Sequence, residues 1–503
     1  MRFEGDGMVG SPGLGARLFS ALADQEIQVI LISQASSQHS ICFAVPPDAV
    51  DAARERIDTE FDAERRAGLI DELVVEHDLS VLAAVGEGMR HAPGIAGKLC
   101  TVLGADGVNI HAIAQGSSEL NISLVVERAD ERRALEATHR CLFEGSPPAR
   151  IVVVGTGGVG SVLLRQLEAI AGADSGVEIA GVANSRTMRM SDQAGAIEAT
   201  EEHAASLPDL VEWTCGLRGC RVFVDCTAAE ELGAVYAPLL RAGVAVATAN
   251  KKPLAGAFQD WETIREASPG NAGLYHEATV GAGLPVIRTL TDLLASGDRL
   301  VKIEGTFSGT LSYLMDQLSH GVKFSVAVRQ AHEAGYTEPD PREDLSGMDV
   351  ARKALILARV AGRALEPADV RVESLITDSS LTDGSLEQFW AQLETLDEDF
   401  AQRQEESAGR GNSLCYLASL NTEGASVGLR EVPSDHPCAG VRDRDNLFAF
   451  WTERYSDTPL VVQGPGAGPE VTAAGVLVDI LNAVRDSITP VAGTKPTGAG
   501  APS

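Results

Sequence analysis

The sequence predicts an α/β protein: a doubly wound parallel sheet with an inserted α+β domain, preceded by two tandem α+β units. Three observations predict it. Sequence blocks near the N-terminus recur further along in one register. The apolar run Ile151-Val152-Val153-Val154 passes directly into Gly155-Thr156-Gly157-Gly158-Val159-Gly160 and an amphipathic stretch reaching about Ile170. After about Leu284 the strand–helix alternation gives way to a mixed pattern, then a Gly-rich turn and an apolar helix close the pattern.

A chain of 503 residues has room for three or four domains. A net charge of −30 argues against nucleic acid and anionic membranes as partners, since both need basic patches. The cysteines are Cys42, Cys100, Cys141, Cys215, Cys220, Cys226, Cys415 and Cys438. None forms a Cys-x-x-Cys pair and none adjoins a His cluster, so reduced thiols in a cytoplasmic protein are expected, without zinc or a disulfide framework. The N-terminus carries no basic-then-apolar signal, and no apolar run is long enough to span a bilayer.

The repeat pairs Gly5-Asp6-Gly7-Met8 with Gly86-Glu87-Gly88-Met89, and Pro12-Gly13 with Pro93-Gly94. It also pairs Ile32-Ser33-Gln34-Ala35-Ser36-Ser37 with Ile113-Ala114-Gln115-Gly116-Ser117-Ser118, at the same offset. Each unit reads as strand, Gly/Pro turn, amphipathic helix and two strands. In the first unit the helix is expected over 13–23 and the strands over 27–33 and 40–45. The tandem unit resembles the ACT pair of aspartokinases, which senses end-product amino acids. The resemblance implies effector contacts by Gln34 and Gln115, with Asn109 in the nearby turn, and L-threonine as the effector. The alternative is that both glutamines are ordinary strand-end polar groups. The kinase domain of that family would precede this segment. No Lys-Phe-Gly-Gly start occurs in the chain, and Met1 falls at the edge of the first strand. A truncated or late-starting product without kinase activity is therefore expected.

The glycine loop fits Gly-x-Gly-x-x-Gly in the required place, after a strand and at the start of a helix. Gly155 permits the tight turn, Gly157 lets the backbone approach a pyrophosphate, and Gly160 lets helix pack on strand. The helix N-terminus, with Thr156, Gly158 and Val159 around it, supplies unpaired N–H donors and partial positive charge. Further strands are expected at 177–183, 222–225 and 245–249, with a helix at 232–241, which gives a Rossmann-type sheet. A carboxylate at the end of the second strand would bind the ribose of NAD. Asn184-Ser185-Arg186 stands there instead. No carboxylate repels a 2′-phosphate and Arg186 can pair with one, so NADP(H) is preferred and NAD(H) possible; the alternative is a solvated Arg186.

Asp225-Cys226-Thr227-Ala228 and Thr248-Ala249-Asn250-Lys251 each follow a strand, where an open α/β sheet binds ligands. Lys251 is thereby placed to reach cofactor or substrate, although Lys252 beside it leaves the choice of lysine open. Glu277-Ala278-Thr279-Val280-Gly281-Ala282-Gly283-Leu284 joins a strand to a helix. Glu277 and the carbonyls of Val280, Ala282 and Leu284 suit a hard cation; a tight helix-entry loop accounts for the same residues.

From Gly335 to Lys353, carboxylates crowd a segment stiffened by Pro339 and Pro341, and Asp349 and Lys353 share one helix face. Ser346-Gly347-Met348-Asp349 also fits a capping-box variant, with Asp349 and Lys353 an ordinary i,i+4 pair. Capping leaves Glu338 and Asp344 unexplained. Mixed elements surround this segment, with helices expected at 284–294, 310–318, 325–334 and 349–361 and strands at 300–307, 414–419 and 447–452. The turn and helix over 464–484 are expected to return to the nucleotide domain. The division is 1–75 and 76–146 for the repeated units, 147–283 for the nucleotide domain, 284–463 for the insertion, 464–489 for the return and 490–503 for a disordered tail.

From Ile151 to about Arg485 the chain resembles homoserine dehydrogenase. The resemblance rests on the glycine loop, Ala249-Asn250-Lys251, the 277–285 loop, Gly305-Thr306-Phe307-Ser308-Gly309-Thr310 and the 335–353 segment. It rests also on Gly464-Pro465-Gly466-Ala467-Gly468 with Val471-Thr472-Ala473-Ala474-Gly475. Departures are Thr306 where the family often has Ile, and Glu343 where Asp is common. The resemblance implies NAD(P)H-dependent reduction of L-aspartate 4-semialdehyde to L-homoserine. It implies Lys353 as proton donor, Asp349 as its orienting partner, Lys251 as a second cation, and Glu338 and Asp344 on the substrate side. Thr227 and Gly468 would contact cofactor, and Glu277, Val280, Ala282 and Leu284 would hold a monovalent cation, sodium. A homodimer or homotetramer is expected. The competing readings are another ACT-bearing dehydrogenase, such as one for a hydroxy acid, and a non-catalytic amino-acid sensor that keeps a nucleotide-binding shell.

Overall fold

The computed structural model describes residues 1–8, 13–34, 39–90, 92, 94–144, 148–170, 176–191, 201–267 and 273–488. The expected tail at 490–503 lies outside the described residues. The chain forms two units, Met1–Ser146 and Pro147–Ser503.

The first unit contains two copies of one motif. Strands β1 (Arg2–Glu4), β2 (Leu31–Gln34) and β3 (Ser40–Ala44) form an antiparallel sheet in the order β1-β3-β2. Strands β4 (Leu79–Val85), β5 (Ala112–Gln115) and β6 (Asn121–Glu127) repeat it as β4-β6-β5. Helix α1 (Leu14–Ala23) and helices α2 (Val50–Glu60) and α3 (Asp62–Arg66) serve the first copy; α4 (Ile95–Ala105) and α5 (Glu131–His139) serve the second. Alternation sends Ile41 and Phe43 inward against Leu18, Leu22 and Ile57, and Ile122, Leu124 and Val126 against Leu99 and Leu103. The second helix of each copy was not anticipated. Strand β2 also begins later than the apolar run from Ile27 suggests, because the Ile27 N–H returns to the Leu22 carbonyl and closes α1.

The second unit holds the nucleotide-type sheet. Its strands are β7 (Ala149–Val154), β8 (Val177–Ala183), β9 (Thr187–Met190), β10 (His203–Ala204), β11 (Arg221–Asp225), β12 (Ala245–Thr248) and β13 (Leu274–Tyr275). They lie in the order β10-β9-β8-β7-β11-β12-β13. The five strands from β8 to β13 are parallel, while β9 and β10 run antiparallel at one edge, so the sheet is mixed where a parallel one was expected. The Asn184 side-chain oxygen causes the reversal by accepting the N–H groups of Arg186 and Thr187 in a tight turn. Helices α6 (Gly158–Ile170), α7 (Leu207–Gly216), α8 (Gly233–Arg241) and α9 (Phe258–Glu266) flank the sheet.

The insertion brings α10 (Val286–Ala295), strand β14 (Leu300–Thr306), α11 (Gly309–Ser319), α12 (Phe324–Glu333), α13 (Pro341–Leu345) and α14 (Met348–Val360). Strand β15 (Val370–Val372), helices α15 (Ser379–Thr382), α16 (Leu386–Gln392) and α17 (Asp397–Gly409), and strands β16 (Asn412–Asn421), β17 (Gly424–Pro433), β18 (Asp445–Thr452) and β19 (Leu460–Pro465) complete it. The sheet order is β15-β17-β16-β14-β18-β19, antiparallel except at β15. Val350, Ala354, Leu357 and Ala358 bury α14 in the core beneath this sheet, and the Phe324 and Phe400 rings stack at 3.9 Å. Helix α18 (Pro469–Ile488) then packs against the nucleotide sheet. Its Ala473, Val476 and Ile480 pack with Ile151, Val153 and Leu163, and Arg165 pairs with Glu470 at 3.2 Å.

A methyl group on Gly160 would sit 1.7 Å from the Gly155 carbonyl oxygen, a backbone atom that cannot swing aside. Gly160→Ala is therefore expected to destabilise the fold by at least about 2 kcal/mol, seen as a lowered urea midpoint. A wild-type midpoint would show that the loop relaxes.

Candidate active site

The glycine loop runs from β7 onto α6. A Cβ on Gly155 (φ 95°) would meet Thr227 Cγ2 at 2.7 Å, whereas a Cβ on Gly157 would have no atom within 4 Å. Gly155 and Gly160 thus serve packing, and Gly157 leaves backbone open beside the helix N-terminus. Thr156 and Val159 share this turn. A Cβ on Gly158 would lie 3.7 Å from Pro469, so the turn at Gly468 (φ 111°) adjoins the loop. This open, N–H-rich crease fits a dinucleotide pyrophosphate. Arg186 is exposed in the β8–β9 turn. A cleft of about 330 Å³ runs between the loop and that turn, lined by Thr156, Asn184, Thr187, Arg189 and Glu202. Arg189 was not singled out in the sequence.

A buried network at the ends of β11 and β12 fixes the loops that face this crease. Asp225, fully buried, accepts from the Thr227 N–H at 2.8 Å, the Tyr236 hydroxyl at 2.5 Å and Asn250 Nδ2 at 3.0 Å. Burial and the nearby Asp225 charge push the Tyr236 hydroxyl well above its ordinary pKa, so it stays a donor. Asn250 Nδ2 also donates to the Ala229 carbonyl at 2.7 Å, and Asn250 Oδ1 accepts from the Lys252 N–H. The nitrogen and oxygen of the one Asn250 amide therefore brace the backbone on either side of Lys251.

Lys251 reaches the inserted domain. Its Nζ lies 3.1 Å from Asp349 Oδ1, and Lys353 Nζ lies 3.0 Å from Asp349 Oδ2. Lys353 is 6% exposed and donates a 2.6 Å hydrogen bond to the Phe307 carbonyl. The same carbonyl accepts from Asn446 Nδ2 at 3.1 Å. Burial, with Lys251 nearby, lowers the pKa of Lys353 against the pull of Asp349. At Asp349, burial raises the pKa, but the two lysines outweigh it and hold the carboxyl far below its usual range. The site is a shared carboxylate between two cations, one of them buried.

The acidic segment divides its charges. Asp340 Oδ1 caps α13 through the Arg342 N–H and pairs with the Arg342 guanidinium, so it is structural. Asp344 Oδ2 accepts the Glu338 N–H at 2.8 Å and thereby shapes the turn that presents Glu338 to solvent. Burial, with help from the Glu338 charge, pushes the Asp344 carboxyl up to about 6. The capping-box alternative does not form. Gly347 (φ 74°), not Ser346, is the residue entering α14, and Ser346 Oγ accepts the Met348 N–H within the turn. A Cβ on Gly347 would lie 1.9 Å from the Tyr416 hydroxyl, so only glycine fits there. Asp349 is left for the lysines.

At the 277–285 loop, Glu277 Oε1 and Oε2 accept the N–H groups of Ile287 at 2.6 Å and Arg288 at 2.9 Å, which caps α10. The Leu284 carbonyl accepts from Val286 at 2.9 Å, and Ala282 is held at φ 55°. A carboxylate has about four acceptor positions, so capping leaves acceptor capacity at Glu277. In the first unit, the Ser33 hydroxyl donates to the Ile113 carbonyl at 3.1 Å, which brings β2 and β5 side by side. Gln34 and Gln115 end these two strands and are exposed, as is Asn109 beyond α4.

Sequence reasoning missed Tyr236 and Asn446, and the bracing roles of Asp225 and Asn250. Asn446 lies far along the chain from Lys353, and only the pairing of β14 with β18 joins them.

The sheet, the crease and the paired lysines define a nicotinamide-dependent dehydrogenase. Comparison with known proteins agrees. The family model for the NAD-binding domain of homoserine dehydrogenase matches residues 155–277, that for homoserine dehydrogenase matches 285–481, and the ACT domain model matches 2–61 and 82–142. The homoserine dehydrogenase of Emericella nidulans is 39% identical over 366 residues, covering 68% of this chain and 99% of its own length. The chain belongs to the homoserine dehydrogenase family and carries a tandem ACT pair ahead of it. A bifunctional aspartokinase/homoserine dehydrogenase from Zea mays is 40% identical over 95% of this chain, and the match spans 54% of that protein. The chain thus spans about half the length of the bifunctional plant relatives it matches. Among solved structures, a Candida auris protein of unknown function is 35% identical with a TM-score of 0.64, covering 68% of this chain and 99% of its own. A hyperthermophilic archaeal homoserine dehydrogenase in complex with NADPH shares the fold at a TM-score of 0.53 and 24% identity, covering 67% and 98%.

The raised Asp344 pKa predicts a pH signature. The folded state holds this proton more tightly than the unfolded chain does, whose Asp titrates near ~3.9. Stability is then lost as pH rises from that value through about 6. Asp344→Asn removes the ionisation and keeps an acceptor for Glu338. Its stability relative to wild type should rise by about 1–3 kcal/mol between pH 4 and pH 8, read from urea titrations. A difference that does not vary with pH would refute the burial argument.

Proposed function

We propose that this chain catalyses the reversible, NAD(P)H-dependent interconversion of L-aspartate 4-semialdehyde and L-homoserine. The observation that carries the reading is Lys353, buried, lowered in pKa and fixed between Asp349 and the Phe307 carbonyl. The nicotinamide cofactor, when bound, supplies hydride to the aldehyde carbon. The chain's own residues handle the oxygen. As the carbonyl oxygen gains negative charge, it needs a proton and nearby positive charge. Lys353 gives the proton from Nζ, and its lowered pKa makes that transfer easier than for a solvated lysine. Lys251 adds a second positive charge. Asp349 stays ionised and holds both ammonium groups at one spot. In the oxidation direction, neutral Lys353 takes the hydroxyl proton back. Glu338, exposed above Asp344, is proposed to bind the substrate ammonium.

NADP(H) preference is proposed on Arg186, with NAD(H) also accepted; Gly155, Thr156, Gly157, Gly158, Val159, Gly160, Thr227, Lys251 and Gly468 would form the cofactor crease. Sodium at Glu277, Val280, Ala282 and Leu284 is proposed on the family resemblance, supported by the acceptor capacity left at Glu277. Feedback by L-threonine through Gln34, Gln115 and Asn109 is proposed on the adjacency of β2 and β5. A homodimer or homotetramer in the cytoplasm completes the proposal. Among the described residues no helix is long and apolar enough to cross a membrane.

The test is nicotinamide absorbance with L-homoserine and NADP+ or NAD+. Lys353→Ala should lower kcat by about 10²–10⁴ with the fold retained. Full activity in that variant would remove Lys353 as the acid, and no turnover by wild type with either cofactor would favour the non-catalytic sensor. Arg186→Ala should raise KM for NADPH about tenfold or more and leave KM for NADH unchanged. Equal effects on both cofactors would refute the assignment. Activity that is flat across millimolar threonine would remove the effector proposal.

A further inference from the structure

Helix α14 meets the turn that carries Lys251 at two places. Near the helix start, Asp349 lies 3.1 Å from Lys251 Nζ. Near its end, Arg359 reaches the other end of the same turn. Arg359 Nη1 donates to the Leu254 carbonyl at 2.8 Å, and Nη2 to the Gly256 carbonyl at 2.7 Å. Nε and Nη2 also donate to the Leu365 carbonyl, at 3.2 and 3.0 Å. The turn begins at Lys251, whose own carbonyl accepts the N–H groups of Leu254 at 3.1 Å and Ala255 at 2.9 Å. The Asn250 amide braces this turn where it starts, and Arg359 holds it where it ends.

Packing alone does not account for Arg359. The residue is 2% exposed, and the nearby Glu366 and Asp260 act on its charge without bonding to it. A buried ion without a bonded counter-ion costs stability, and a well-packed apolar residue often replaces one without loss. What a guanidinium adds is a planar fork of donors at fixed angles. Here the fork spans a junction: Leu254 and Gly256 lie between β12 and α9, and Leu365 follows α14. Glu366, next to Leu365, accepts the Phe258 N–H at 3.0 Å and so grips the start of α9 as well. The Lys251 ammonium bonds to Asp349 alone among the described residues. Where that ammonium sits therefore follows from where its backbone is held.

We propose that Arg359 is a positioning residue for Lys251: by clamping the Leu254 and Gly256 carbonyls to α14, it holds Lys251 Nζ on Asp349, beside Lys353. Its effect on rate rests on the reaction proposed above; the placement of Lys251 is read from geometry alone. Lys353 is faced by Asp349 on its own helix, by Lys251 from the nucleotide sheet and by Asp344 from α13. Of these Lys251 is the one cation, and it favours the neutral form of Lys353. A loosened clamp removes positive charge from the reacting oxygen and lets Lys353 keep its proton to higher pH.

The test is a double-mutant cycle on the full chain, Arg359→Met against Lys251→Ala, with L-homoserine and NADP+. Arg359→Met alone should lower kcat about tenfold to a hundredfold and move the acidic limb of its pH profile upward. In the Lys251→Ala background the same substitution should change kcat by less than about threefold and leave the limb in place. Losses that add across the two backgrounds, or an unmoved limb in Arg359→Met, would overturn the proposal. A crystal structure of Arg359→Met separates this failure from failure of the reaction. Lys251 still within hydrogen-bond reach of Asp349 overturns the positioning role. Wild type without turnover, with Lys251 displaced in the variant, sinks the reaction alone. Should Arg359→Met not fold, Arg359→Lys keeps the charge, loses the fork and is read by the same outcomes.

Discussion

One carboxylate holds the two halves of the candidate active site together. Asp349 accepts Lys251 from the nucleotide sheet on one oxygen and Lys353 from α14 on the other. Taking a lysine out of water costs several kcal/mol unless its charge is compensated. Asp349 and the Phe307 carbonyl supply that compensation at Lys353. Under the proposed function, the two ammonium groups around Asp349 favour negative charge on a reacting oxygen, and the Asp344 carboxyl, which also acts on Lys353, offsets part of that effect. The arrangement therefore costs folding energy in order to favour one charge state of a bound group.

Everything nearby serves to keep those three groups in place. The Asp225, Tyr236 and Asn250 network fixes the backbone that carries Lys251. Asn446 shares the Phe307 carbonyl with Lys353 and anchors it from β18. Gly347 turns α14 so that Asp349 lies in its first turn with Lys353 one turn on, both on the active side. These supports come from three separated stretches of chain, which explains how a single site draws on both the sheet and its insertion.

Much of this was legible in the sequence for local reasons. The repeat in one register, the glycine loop after a strand, and the i,i+4 spacing of Asp349 and Lys353 all depend on residues close together in the chain. The elements expected at 177–183, 300–307 and 349–361 correspond to β8, β14 and α14 to within a residue, because apolar periodicity is a local signal. The capping-box alternative at Ser346 misled for the same reason. Its pattern is local, but Tyr416 packs against Gly347 from a distant strand and fixes a different turn. The antiparallel edge strands were hidden because one asparagine side chain, not periodicity, reverses the chain at Asn184.

The sequence by itself determined the fold class, the nucleotide crease, the tandem regulatory pair and the choice of Lys353 and Asp349 as candidates. Local spacing and turn chemistry suffice for the fold class and the glycine loop, while the regulatory reading of the repeat and the choice of Lys353 and Asp349 came from the family resemblance. The tertiary structure placed Lys251 against Asp349, paired Asp340 with Arg342, and left Asp344 half-buried and raised in pKa. It alone showed that Asn446 braces the site. Those outcomes depend on burial and on contacts between residues tens to hundreds of positions apart, and long-range packing leaves no periodic trace in the chain.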